Sequence, residues 1–185
     1  LTHKNLVANT LQTREAIAGS YAMGQEKILI ALPLFHVYGM TVGMNLAMSI
    51  AGTQILMPRF EIDVVLQAIN KYRPTFFPGA PTMYVAVNRH PSIKDYDLSS
   101  IKVCISGSAP LPVEVAQRFE DLTGGSLVEG YGLTEASPVV TVNPVNGVRK
   151  VGSIGLPLPD TDCCIVNLDT GEKELPPGEV GELIV

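Results

Sequence analysis

Between Lys27 and Arg59 the chain carries no charged side chain. Few architectures accept a run that long. A membrane-crossing helix needs about 20 mostly apolar residues in a row, and this stretch has the length. It also contains Pro33, His36, Asn45, Gln54 and the glycines Gly39, Gly43 and Gly52. These punctuate it into a strand, a turn, a helix and a second strand. The stretch therefore reads as the buried core of a soluble protein.

The rest of the chain continues the alternation. Strands are predicted over 28–32, 53–57, 75–77, 101–106 and 126–129, and helices over 3–20, 37–51, 61–72, 81–88 and 112–122. Ile62, Val65, Leu66 and Ile69 recur at helical spacing before Pro74 stops the pattern. Pro81 suits a first helical turn, and Gly124-Gly125 suits a helix end. Strands alternating with helices of about 10–15 residues imply βαβ units and a parallel sheet. From Val139 onward the helical periodicity vanishes, and Gly, Pro and Asp separate short β-prone runs such as Cys163–Val166 and Glu182–Val185. The expected fold is α/β, a mostly parallel sheet with flanking helices over residues 1–145. A short β-rich, barrel-like segment of the same domain follows over 146–185.

Composition narrows the function classes. With 46% hydrophobic and 17% charged residues, the 185-residue chain is neither disordered, collagen-like nor a coiled coil. Its formal charge of −5 argues against nucleic acid as a partner and against non-specific binding to acidic membranes. Cys104, Cys163 and Cys164 are an odd set without CxxC spacing. Unpaired thiols fit a reducing, cytoplasmic setting. Lys4, Arg14 and Glu15 interrupt the apolar run a signal peptide needs. Residue 1 is Leu rather than Met, as expected of a processed product or of a segment of a longer protein.

Two loops stand where ligands bind in open α/β sheets, beyond the carboxyl ends of strands. One is Ser106-Gly107-Ser108-Ala109-Pro110, and the other is Gly130-Tyr131-Gly132-Leu133-Thr134-Glu135. Glycines there let the backbone approach a flat ring or a phosphate. Gly130-x-Gly132 resembles the opening of a dinucleotide fingerprint, but Glu135 occupies the third glycine's position and would repel a pyrophosphate. An intervening Mg²⁺ reverses that sign, because it takes hard oxygens and usually one or two carboxylates plus phosphates. Thr134 could then donate to a phosphate, and Tyr131 offers a face for a purine. On spacing alone, a tight turn with a solvated glutamate remains the competing reading. A G-x-S-x-G serine nucleophile is excluded by Cys104 and the sequence around Ser106. Met40, Met44 and Met48 recur every four residues and read as plain core or as the lining of an apolar tunnel.

Taken in order, these stretches resemble the adenylate-forming acyl-CoA synthetase family, which includes luciferase-type and long-chain fatty-acid CoA ligases. The resemblance rests on Pro33-Leu34-Phe35-His36-Val37-Tyr38-Gly39, Gly107-Ser108-Ala109-Pro110 and Tyr131-Gly132-Leu133-Thr134-Glu135. Gly152-Ser153-Ile154-Gly155-Leu156-Pro157 and the run from Pro176 to Leu183 extend it. It implies a two-step reaction in which a carboxylate attacks the α-phosphate of Mg-ATP and coenzyme A then displaces AMP. It further implies that Tyr131 stacks on adenine, while Gly107, Ser108, Ala109 and Pro110, with Gly130 and Gly132, wall the nucleotide. Thr134 would contact phosphate, Glu135 would hold Mg²⁺, and His36 would stand near the reacting carboxylate. Gly39, Met40 and Gly79 would belong with His36 to the acyl pocket. The continuation Ser137-Pro138-Val139-Val140-Thr141-Val142-Asn143-Pro144 looks most like the microbial long-chain branch.

The family's lysine-bearing phosphate loop would precede Leu1, and its ribose-binding aspartate and mobile C-terminal domain would follow Val185. The expectation is that these 185 residues alone neither form acyl-adenylate nor bind ATP tightly. Homodimerisation and peripheral membrane contact are further expectations for the parent protein. The alternatives are a non-catalytic nucleotide-binding or interaction module, and an aryl-acid or amino-acid-activating relative.

Overall fold

The computed structural model describes residues 1–185. Strand β1 (Lys27–Ile30) pairs in parallel with β2 (Thr53–Leu56), and β3 (Val103–Ser106) in parallel with β4 (Ser126–Gly132). Phe76 joins the two pairs, bridging in parallel to Ile28 on one side and Val103 on the other. The run expected as a strand over 75–77 is reduced to these single-residue bridges. Beyond β4 the direction changes. Strand β5 (Val139–Val142) and then β6 (Leu156–Pro157) add antiparallel, so the strands form mixed sheets.

Side chains alternate along these strands as a pleat requires. Ile28, Ile30, Phe76, Val103, Ile105 and Val128 enter one buried cluster, and Leu29, Ala31, Phe77, Cys104 and Leu127 enter another. The second is closed by α3 (Ile62–Tyr72), α4 (Pro81–Arg89) and α5 (Val113–Thr123). Ile17, at the end of α1 (His3–Ala16), and Val42, Leu46 and Ile50 close the first. Burial on both faces explains why the strands read as continuous apolar runs. No helix is long and apolar enough to cross a membrane.

Several expected boundaries move. Helix α1 stops at Ala16 rather than 20 because Ile17 leaves helical geometry and Gly19 takes a positive φ of 80°. The helix expected over 37–51 is a π-helix, Gly39–Asn45, running into the short α2 (Leu46–Ser49). Met40 and Met44 fall in the π-helix, whose turns close i→i+5, and Met48 falls in α2. Met40 and Met44 are half-buried, and Met48 is exposed. Strand β4 runs on to Gly132, three residues past the expected end, since β5 offers its last residues a partner. Past β6, β7 (Cys164–Val166) and β8 (Glu182–Ile184) make a two-stranded antiparallel ribbon. All three cysteines are free thiols.

Candidate nucleotide and acyl site

Three segments converge at one end of the sheet. The turn His36–Tyr38, the exit of β3 through Ser106, Gly107 and Ser108, and the end of β4 from Gly130 to Thr134 enclose a cavity of about 280 Å³. Val42, Ile105, Pro138 and Val139 complete its lining. The cavity lies beyond the carboxyl ends of parallel strands, where α/β sheets bind ligands.

The β3 wall is fastened from behind. The Ile105 carbonyl accepts the Tyr38 hydroxyl at 2.5 Å, the Tyr84 hydroxyl at 3.1 Å and the Gly79 N–H at 3.1 Å. Tyr84 also donates to the Phe77 carbonyl at 2.9 Å. Burial, with the Cys104 thiol close by, pushes both phenols far above their ordinary range, so they stay neutral donors. Burial likewise pushes the Cys104 thiol up. Gly107 donates its N–H to the Gly79 carbonyl at 3.2 Å, and a Cβ there would touch the Tyr38 ring at 3.4 Å. Ser108 follows in the left-handed region, φ 73°, a conformation that turns the exposed loop away from the strand line.

The β4 wall is an exposed turn. Register shifts between Tyr131 and Gly132, and Leu133 donates its N–H to the Pro138 carbonyl at 2.9 Å. A Cβ on Gly132 would stand 2.0 Å from that same carbonyl oxygen, so only glycine lets the two backbones meet. A short 3-10 turn, Thr134–Ala136, follows. Tyr131 is 39% exposed, and Thr134 and Glu135 are exposed as well. Glu135 takes part in none of the molecule's ion pairs. On the third segment, His36 Nδ1 accepts the Tyr38 N–H at 3.2 Å. The proton of the neutral ring therefore sits on Nε2.

Of the residues singled out from sequence, His36, Gly107, Ser108, Gly130, Tyr131, Gly132 and Thr134 meet around the one cavity. Ala109 and Pro110 lie outside its lining on the exposed path to α5, and Glu135 stands one residue beyond it. Gly39, Met40 and Gly79 do not line it either. A Cβ on Gly39 would meet the Pro33 carbonyl oxygen at 2.4 Å, and one on Gly79 would meet the Tyr84 hydroxyl at 3.1 Å, so both serve close packing. Tyr38 and Val42 line the cavity without having been singled out as site residues. The only sequence signal was Tyr38's place beside His36.

The sequence profile of the AMP-binding enzymes matches residues 1–185, the whole chain. The chain belongs to the AMP-binding enzyme family. It is 51% identical over its full length to a long-chain-fatty-acid–CoA ligase of Bacillus subtilis, of which it covers 33%. Among solved structures, ATP-bound MatB of Rhodopseudomonas palustris superposes with a TM-score of 0.85 at 30% identity, over 99% of this chain and 35% of that one. An anthranilate CoA ligase, AuaEII, in complex with anthranoyl-AMP superposes at 0.89 with 26% identity, over 98% and 35%. The chain thus spans about a third of the length of the relatives it matches.

Proposed function

We propose that this chain is the central part of the adenylation domain of a long-chain fatty-acid CoA ligase, which joins fatty acid and coenzyme A at the expense of ATP. The observation that carries the proposal is the convergence of His36, Gly107-Ser108 and Tyr131–Thr134 on one cavity. In this reading the Tyr131 ring stacks on adenine, and the Thr134 hydroxyl donates to a phosphate oxygen. His36 presents Nε2–H to the reacting carboxylate. Val37, Val42 and Val139 give the carboxylate end of an acyl chain an apolar surface. The sheet would be the mostly parallel one of the family, with residues 146–185 forming the first part of a barrel.

Mg²⁺ fits the donors present. Glu135 is an exposed carboxylate outside every ion pair, and a phosphate-bound Mg²⁺ needs only one or two carboxylates from protein. It would neutralise phosphate charge during adenylyl transfer. No lysine or arginine lines the cavity, so a triphosphate finds no cationic side chain here. Its volume also falls below the ~300–1,000 Å³ usual for sites that enclose a ligand. Both points support the view that these residues alone do not bind ATP tightly.

ATP–pyrophosphate exchange by the full-length protein, across short, long-chain and aromatic acids, tests the reading. Exchange should be greatest with long-chain acids and near background for the 185-residue chain by itself. A preference for aromatic acids would move the protein to an aryl-acid branch. Absence of exchange with every acid tested would leave a non-catalytic nucleotide-binding module.

A further inference from the structure

Asn9 lies in the middle of α1 and is 4% exposed. Its amide reaches across 130 residues of sequence to one backbone unit. Nδ2 donates to the Val139 carbonyl at 2.7 Å, and Oδ1 accepts the Val139 N–H at 3.0 Å. The two bonds fix which amide atom is which, since the flipped side chain would set donor against donor and acceptor against acceptor. One side chain thus supplies the pair of bonds that an adjoining strand would exchange with Val139.

That position needs such a partner. Val139 lies opposite Gly132 of β4, whereas on the other edge β6 pairs only with Thr141 and Val142. Without Asn9, the buried N–H and carbonyl of Val139 would face the helix unmatched, a costly arrangement. Val139 is also the residue after Pro138, whose carbonyl accepts the Leu133 N–H and abuts Gly132. Tyr131 and Thr134 flank that contact.

We infer that Asn9 is a positioning residue for the nucleotide-facing turn. It pins Val139 and, through Pro138, the backbone that carries Tyr131 and Thr134, without reaching the cavity itself. The inference rests on the adenylation reading above, and its test keeps the two apart.

The test uses the full-length protein with Asn9→Asp, which keeps size but sets a carboxylate oxygen against the Val139 carbonyl, and Asn9→Leu, which removes both bonds. Thr10→Val is the control. It alters the next buried residue of the same helix, whose hydroxyl donates only to Leu6 within α1. Hydrogen exchange at the Leu133 amide and ATP-dependent pyrophosphate exchange are both measured, well below each variant's Tm. The Asn9 variants should exchange the Leu133 amide about 10-fold faster or more. They should also lose ~10–100-fold in kcat/KM for ATP, the scale expected for a misplacement on the order of 1 Å. Thr10→Val should leave both within about twofold. If Asn9→Leu does not fold, Asn9→Asp carries the test. Unchanged Leu133 exchange in the Asn9 variants, or an equal loss in Thr10→Val, overturns the inference. Absence of pyrophosphate exchange in the unaltered protein would overturn the adenylation reading instead, and the Leu133 measurement would still decide whether Asn9 holds the turn.

Discussion

On the β3 side of the cavity, the Ile105 carbonyl gathers two buried phenols and the Gly79 N–H. On the β4 side, Tyr131 and Thr134 stand exposed on a turn that Pro138 and Val139 hold from behind. The first wall is fastened by neutral, buried donors whose removal would be felt in folding. The second presents its side chains to the cavity and leaves them partly exposed. A cavity assembled this way separates the residues that hold shape from those whose side chains are open to it. Changes to the two walls should therefore show up in different measurements.

The sharpest break would come at the rim of the exposed wall. If the proposed adenylation reading holds, Glu135→Ala in the full-length protein should lower adenylation by roughly 10²–10³-fold, as for loss of one preorganised charge-stabilising group, with Tm nearly unchanged. Near-normal turnover at limiting Mg²⁺ would overturn the proposal that Glu135 holds the metal. Tyr131→Ala should weaken ATP binding by about 1–3 kcal/mol if the ring stacks on a base. Calorimetric titration checks this, and an unaltered affinity would make Tyr131 a packing residue. On the fastened wall, Tyr84→Phe deletes the hydroxyl shared by Phe77 and Ile105 while keeping the ring. Stability should fall by about 1 kcal/mol in denaturant unfolding, with ATP affinity held within a few-fold. An affinity loss exceeding the stability loss would erase the distinction between the walls.

The smallest effect lies away from both. The Ser99 hydroxyl and N–H, with the Arg73 guanidinium, hold the Asp97 carboxyl down at about 2 from an ordinary 3.8. A depressed carboxyl stabilises the fold above its unfolded pKa and loses that contribution as pH falls through the folded one. Asp97→Asn should thus shallow the decline in Tm between about pH 4 and pH 2 and leave the cavity's ligand binding alone. An acid limb identical to the unaltered protein's would show that Asp97 contributes nothing there.

Much of the scaffold was legible in local sequence because local physics decides it. Ile62, Val65, Leu66 and Ile69 repeat at helical spacing and line one buried face of α3. Pro81 begins α4, and Gly124 ends α5 in the left-handed conformation. The strand exits at Ser106 and around Gly130, which line the cavity, were readable as open loops for the same reason, since glycines follow apolar runs there. The methionine repeat did not reveal that the helix begins as a π-helix, since Met40 and Met44 fall in it and Met48 in α2.

What the sequence by itself determined was the alternation of strands and helices and the two glycine-bearing loops at the strand ends, because turn residues and apolar periods act over a few neighbours. Only the tertiary structure decided that β4 continues to Gly132, that Tyr38 and Tyr84 share one carbonyl, and that Asn9 serves as a partner for Val139. These depend on which backbone groups remain unpaired once distant segments have packed. Such vacancies do not exist until the chain has folded.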